Sequence, residues 1–543
     1  MTLRNCLFRF GFFAVLGLTA CAGGDSASRP DAWAEPEAFV APSSFAGVHG
    51  LAIDAKGRLL AGSVAGASIW EVDRQTGAAG VFIGPLEGQA DDIAIGPNGE
   101  LAWTGFLQGV LRYRERDDAP IRVLAKDLPG MNSLDFDRRN SKLYASQVFM
   151  GDALWEIDVA GANPPRLIAK DIGGFNGFEV GPDGMLYGPL WFKHQVVKID
   201  PANGAITVIN SDFQVPAAAN LDGKGNLWVV DQKAGELSRV ELATGRKTVA
   251  KTLKPSLDNL AIAPEGTIYV SNMADNSIEA FEPATGELRL LTGGLLPMAL
   301  SLRADGDRMW VAGLFAFRGF DLSTGNISND LRMGASDVDY PTSVGVSAQH
   351  LTVASYSSNT VQQIDRATMK TVAKGTGFKM PVDAIPMSDG SILVAELGSG
   401  SILRASGPEL KQREPVVQGL KGPMQMMLGT DGALYFTEFA GTLTRLNLAD
   451  KSRTTLASDL AAPKAVAQTP WGSVVVMEVA AKRLTEIDLA TGERRTVAAN
   501  LPVNMKFMPP TPPLLAPGMA VDAQGNVYFG TDQNAVYKVR PMW

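Results

Sequence analysis

The sequence predicts an all-β protein, a β-propeller of twelve four-stranded repeats. A tight turn recurs at Gly57, Gly99, Asn140, Gly184, Gly225, Gly266, Gly306, His350, Gly390, Gly432, Gly472 and Gly525. Its spacing is 40 to 44 residues, except for the last step of 53. A period near 40 built from short strands is the pattern of propeller blades. Short apolar runs rich in β-branched and aromatic residues flank each turn, as in Asn226-Leu227-Trp228-Val229-Val230, a pattern that fits strands and not helices.

Each repeat yields four strands in order. The first two flank the recurring turn, where Asn-Gly at 98–99 and Asp-Gly at 183–184, 389–390 and 431–432 are hairpin signals. A polar loop leads to the third strand. A second turn, as in Gln75-Thr76-Gly77, Ala243-Thr244-Gly245 or Ala490-Thr491-Gly492, returns the fourth. Direction reverses at every hairpin, so the glycine turns share one face of the disc. The variable loops share the other face, which is where a ligand site is expected.

Twelve blades predict two six-bladed propellers, over 35–290 and 291–543, because about 250 residues is a normal upper size for a domain. The alternative is one twelve-bladed ring. The last repeat stops at Val539 on its third strand, and Glu37-Ala38-Phe39-Val40-Ala41 resembles the missing fourth. In a single ring this segment closes the circle on blade twelve. With two rings it completes blade six, and Leu288–Leu291 completes blade twelve.

Residues 1–20 read as a signal peptide. Arg4 and Arg9 form a basic start, and Phe10 to Leu18 is too short an apolar run to span a bilayer. Leu18-Thr19-Ala20-Cys21 resembles the bacterial lipobox, which implies cleavage before Cys21 and lipidation of its thiol. Ala22 after the cysteine implies outer-membrane sorting, with the protein facing the periplasm. Residues 21–34 are then the lipidated cysteine and a flexible tether. The other cysteine, Cys6, leaves with the signal, so no disulfide or cysteine metal site is expected. The net charge is −8 and no Lys/Arg cluster interrupts it, which argues against a nucleic-acid partner.

The lead-in to the innermost strand of each blade gives a column of side chains: His49, Asp91, Asn132, Asn176, Ala217 and Asp258, flanked by Asp92 and Asn259. All fall at the loop-face mouth of the first ring. Oxygen donors converging on an axis suit Ca²⁺ or Mg²⁺. The same short polar side chains also serve as caps for backbone amides at a turn. His49, and His194 in the loop Trp191-Phe192-Lys193-His194, are candidate general bases beside Asp91 or Asp258. Trp191 and Phe192 would floor a pocket for an apolar ligand.

The second half has a mostly apolar column: Met298, Thr342, Val382, Met424, Lys464 and Pro517. Glu396, Glu438 and Glu478 recur on successive blades there, placed either to bind a cation or to accept hydrogen bonds from loop amides. The long final spacing marks an insertion, 504–517, rich in proline. No nucleophile elbow, phosphate loop, His-Glu-x-x-His or dinucleotide fingerprint occurs.

The repeat, Phe175-Asn176-Gly177 and the Asp-Asn-Leu-Ala-Ile segment at 258–262 resemble the regucalcin/gluconolactonase family, and more broadly the NHL-type and virginiamycin-lyase-like propellers. That resemblance implies a divalent metal on the ring axis. Asn132 and Asn176 match the family's two Asn ligands. His49 stands where that family has Glu, Ala217 stands where it has Asp, and Asp258 lies one blade further on. Its implication is a metal-dependent hydrolase of lactones or esters. Asn132, Asn176 and Asp258 would hold the metal, while His49, His194 and Asp91 would move protons. The other readings are a non-catalytic module binding a protein or glycan, and a metal-dependent lyase. If the lipobox is used, Cys21→Ser expressed in a Gram-negative host incorporates no labelled palmitate, whereas the parent chain is labelled.

Overall fold

The computed structural model describes residues 28–503 and 517–543. The signal, Cys21, the first part of the tether and nearly all of the 504–517 insertion lie outside the described residues. Among those described there is no α-helix, and so no helix long and apolar enough to cross a membrane.

Among the described residues there are twelve four-stranded antiparallel sheets, and a two-stranded ribbon (Ala32–Trp33 with Pro541–Met542) pairs their two ends. Blade one is typical. Its strands are Val48–Ile53, Leu59–Ser63, Ser68–Val72 and Ala79–Ile83, hydrogen-bonded in sequence order. The outermost strand is largely exposed and the inner two are buried. This gradient is why the sequence alternates clearly on outer strands and reads as continuous apolar runs on inner ones. Gly57, Gly99, Gly184, Gly390 and Gly432 all adopt positive φ, between 75° and 89°, as such hairpin turns require.

The blades close into two rings of six. Blade six (inner strand Leu257–Ile262) packs directly on blade one. Their shared core joins Val48, Leu51 and Leu59 to Tyr269, Ile278 and Leu291. At the same seam a Cβ on Gly77, at φ 74°, would come within 1.8 Å of the Leu291 carbonyl oxygen. Blade seven (inner strand Ser301–Asp305) likewise packs on blade twelve, through Leu302, Val311 and Phe320 against Ala520, Tyr528 and Val536.

Closure combines strands in a way the sequence leaves unspecified. Glu287–Thr292 remains in blade six, and Glu37–Val40 completes blade twelve by pairing with Val536–Val539. The chain therefore begins in the second ring, crosses to build the first, and crosses back to finish the second. The two crossings, near residues 41–47 and 293–297, run side by side. Asn276 Nδ2 donates to Ser43 Oγ at 3.2 Å, and the Gly294 amide donates to the Asp275 carbonyl at 3.1 Å.

Val40 is 2% exposed within the closing core. Val40→Asp buries a carboxylate without a partner, so it is expected to destabilise the second ring by about 3 kcal/mol. Differential scanning calorimetry should show one transition moving down while the first ring's is spared.

Candidate functional site between the two rings

The loop face of the first ring is covered by loops of the second. A chamber of about 640 Å³ lies between them. Its floor is the lead-in column: His49, Asp91, Asn132, Asn176 and Asp258 all line it. The roof comes from the second ring, from Leu314 and Phe315 and from the long segment between Arg332 and Gly345 that carries Met333, Asp339 and Tyr340. Phe106, Phe149 and Trp191 form one wall, with centroid separations of 6.3 and 5.1 Å and rings set edge to face.

Blade-to-blade bonds place the floor. Ser271 on blade six donates to the His49 carbonyl at 2.7 Å, and Thr104 on blade two donates to the Asn132 carbonyl. The second ring repeats the device through Thr437 to Lys464. A hydroxyl on the second strand of one blade thus fixes the lead-in of the next.

His49 is 7% exposed, with its ring edge against Phe315 at 5.2 Å. That approach needs glycine at position 47, where a Cβ would sit 2.2 Å from the Phe315 ring. Nδ1 of His49 lies 3.2 Å from Asp258 Oδ2 and 3.6 Å from Asp91 Oδ1, while Nε2 is buried without a hydrogen-bond partner. Burial disfavours the imidazolium, but the charge and hydrogen bond of Asp258, with Asp91 behind it, hold the His49 pKa above its ordinary value. Burial pushes Asp91 up to about 7, aided by the Asp258 charge and opposed by His49.

The amides behave as caps. Asn176 Oδ1 accepts from the Gly177 amide at 2.9 Å and from Ser133 Oγ at 3.2 Å. Asn132 Oδ1 accepts from Ser133 Oγ at 2.9 Å. Asp92 and Asn259 do the same for Ile93 and Leu260, and Asn259 Nδ2 also donates to Asp92 at 3.0 Å. Each amide oxygen thus accepts a local hydrogen bond, and Asp258 faces His49. Among the described residues no group of three or more His, Cys, Asp or Glu is arranged to hold a metal.

His194 falls elsewhere. It ends the single helical turn Trp191–Lys193 at φ 57°, exposed and outside the chamber lining. Trp191 from the same loop does line the chamber, with its indole N–H on Gln232 Oε1 at 3.2 Å. In the second ring Glu396, Glu438 and Glu478 each accept from a loop amide, of Lys379, Lys421 and Ala461, at 2.9, 2.6 and 2.8 Å.

The roof is seated by charge. Arg318 of blade seven, wholly buried, donates to Asp275 of blade six at 2.7 Å and to the Ala274 carbonyl at 2.9 Å. Arg332, at the root of the roof segment, reaches the same Asp275 oxygen at 2.7 Å. Ser256 Oγ donates to the Met333 carbonyl at 2.7 Å, and Asn534 Nδ2 donates to the Phe45 carbonyl at 2.8 Å. These roof residues carry no motif. Only the length of the loop between the seventh and eighth repeats marks them in the sequence.

No protein-family model matches the chain, and no curated protein matches it. Among solved structures it is similar to virginiamycin B lyase from Staphylococcus aureus, at 15% identity and a TM-score of 0.30, over 60% of this chain and 94% of that one. It is also similar to the extracellular domain of the putative one component system BT4673 from B. thetaiotaomicron, at 12% identity and a TM-score of 0.34, over 94% of this chain and 83% of that one. Both are β-propeller proteins.

Asp275→Asn takes from the buried Arg318 one of its two carboxylate partners, leaving Asp330, and is expected to cost about 3 kcal/mol. The comparison is Asp389→Asn, which removes the exposed partner of Arg404 and should cost under ~1 kcal/mol. Urea midpoints measure both. Burial raises the Asp275 pKa, but the arginines outweigh it and the net shift is downward. Its contribution is therefore full above the ordinary carboxylate range and is lost as pH falls through the folded value. The midpoints of the parent protein and Asp275→Asn should converge in acid.

Proposed function

We propose that the protein handles a small molecule in the chamber between its rings, and that it hydrolyses a lactone or ester there with His49 as the proton-transferring group. The supporting observation is the position of His49 on the chamber floor. Its Nδ1 faces Asp258 and Asp91, which leaves Nε2 as the unpartnered atom. A histidine whose one nitrogen is oriented by a carboxylate presents the other to an attacking water, takes its proton, and returns it to the leaving alkoxide. Asp258 orients and Asp91 holds charge beside it. His194 has no part in this route. The route is drawn on protein groups alone, and metal content decides whether a Ca²⁺ or Mg²⁺ ion at Asn132, Asn176 and Asp258 takes part.

A second reading, a non-catalytic ligand-binding module, is favoured by one observation. The Nε2 atom is closed off from solvent in a site where Phe315 lies against the ring. Catalysis requires Phe315 to move aside when substrate enters. In either case we place the protein at the outer membrane, held by the Cys21 lipid and facing the periplasm.

The test is hydrolysis of a panel of lactones and aryl esters by protein beginning at Ala22. His49→Ala and Asp258→Asn should each lower kcat/KM by about 10²- to 10⁴-fold, with thermal unfolding unchanged within a few degrees. Saturable binding without turnover in the parent protein would transfer support to the binding module. Metal content of the parent and of Asn132→Ala/Asn176→Ala decides whether an ion takes part. About one divalent ion per chain, lost in the variant, would restore the metal-dependent route.

A further inference from the structure

Resting on the chamber as the working site, we infer that its ligand is an organic cation: an apolar or ring-bearing molecule carrying an ammonium group. The inference comes from what lines the space. Phe106, Phe149, Trp191, Phe315, Tyr340 and Tyr356 supply six aromatic rings. Four carboxylates, Asp91, Asp258, Asp337 and Asp339, share the lining, and among the described residues no lysine or arginine lines it. The single basic group is His49.

Such a lining selects by charge. Aromatic faces attract a desolvated cation through their quadrupole, and the attraction strengthens where water is displaced. Carboxylates on floor and roof supply the counter-charge, Asp258, Asp337 and Asp339 foremost, since burial pushes Asp91 up to about 7, and an anionic ligand would meet like charge from them. Apolar surface makes up most of the chamber wall, so a small inorganic cation would gain little from it. Phe149 is 46% exposed and Met150 45%. These apolar side chains at the chamber edge already face solvent, where an apolar ligand body would cover them. The roof contributes Asp339 and Tyr340 from the segment seated by Arg332, so the cation would be held by both rings at once.

This adds a charge requirement to the proposed substrate: the lactone or ester carries its ammonium group on a different part of the molecule from the carbonyl that meets His49. The ammonium does not take part in bond making. It fixes the orientation in which the carbonyl lies over the floor.

Three probes of matched shape test the inference by calorimetric titration of the whole protein: benzyltrimethylammonium, its uncharged carbon isostere neopentylbenzene, and phenylacetate. The expected result is binding of the cation about tenfold or more tighter than the neutral isostere, and no binding of phenylacetate. In Asp258→Asn/Asp339→Asn the preference for the cation should fall to near unity while neopentylbenzene still binds, which shows the chamber intact. Equal binding of cation and isostere to the parent protein would overturn the charge assignment and leave the chamber reading standing. A preference that survives in the double variant would overturn it as well. Failure of all three probes to bind would remove the chamber reading itself.

Discussion

The carboxylate of Asp275, buried between two arginines of the other ring, is the contact on which the site depends. Each propeller is a closed disc with a complete core and has no inherent reason to meet its neighbour in one orientation. Arg318 has no exposed surface and is bound to Asp275, Asp330 and backbone carbonyls. A fully desolvated guanidinium is tolerated only where its donors are met, so the pairing has a narrow geometric range. It brings Phe315, three residues before Arg318 in the turn that precedes its strand, down onto His49. It also anchors Arg332, from which the roof segment departs.

Chain path reinforces this seat. Because Glu37–Val40 closes blade twelve, the rings are joined by two adjacent crossings and not one. Two parallel connections remove most of the rotational freedom that a single linker would leave. They also place the rings' loop faces on the same side of the joint. The chamber is the space left between two ring surfaces, each of which brings both aromatic and acidic side chains. The first mouth supplies His49, the two aspartates and the amides, and the second ring supplies a mostly apolar cover. A charged cluster beneath such a cover is removed from bulk water, which pushes Asp91 up to about 7, while the Asp258 carboxylate raises the His49 pKa against the effect of that burial.

Much of this was legible residue by residue, and the exceptions have physical causes. The lead-in column from His49 to Asp258 does converge on one mouth, because propeller symmetry carries equivalent positions to equivalent depths. The recurring glutamates of the second ring accept loop amides, one of the two roles their spacing allows. His194 shares a loop with Trp191, and the sequence gives both the same face. A single helical turn, ending with His194 in the left-handed region, separates them, so the indole enters the chamber and the imidazole faces outward. Asn132 and Asn176 line the chamber as their column implies, and Ser133 and the Gly177 amide bond to their oxygens, a local contact that a column of aligned positions does not reveal.

The sequence by itself determined the repeat, the strand count, the two faces and which residues crowd the first mouth. All of these follow from local periodicity, turn chemistry and a fixed spacing, and each is settled within about forty residues. Tertiary structure decided which strand closes which ring, and that the second propeller covers the first. It also decided that a phenylalanine, a tyrosine and two aspartates from blades seven and eight complete a site begun by blade one. Those outcomes depend on contacts such as Phe315 against Gly47 and Arg318 against Asp275, between residues that no period relates. A one-dimensional pattern specifies equivalent positions within a ring, whereas the contact between two rings is set by shape and charge that only the folded chain brings together.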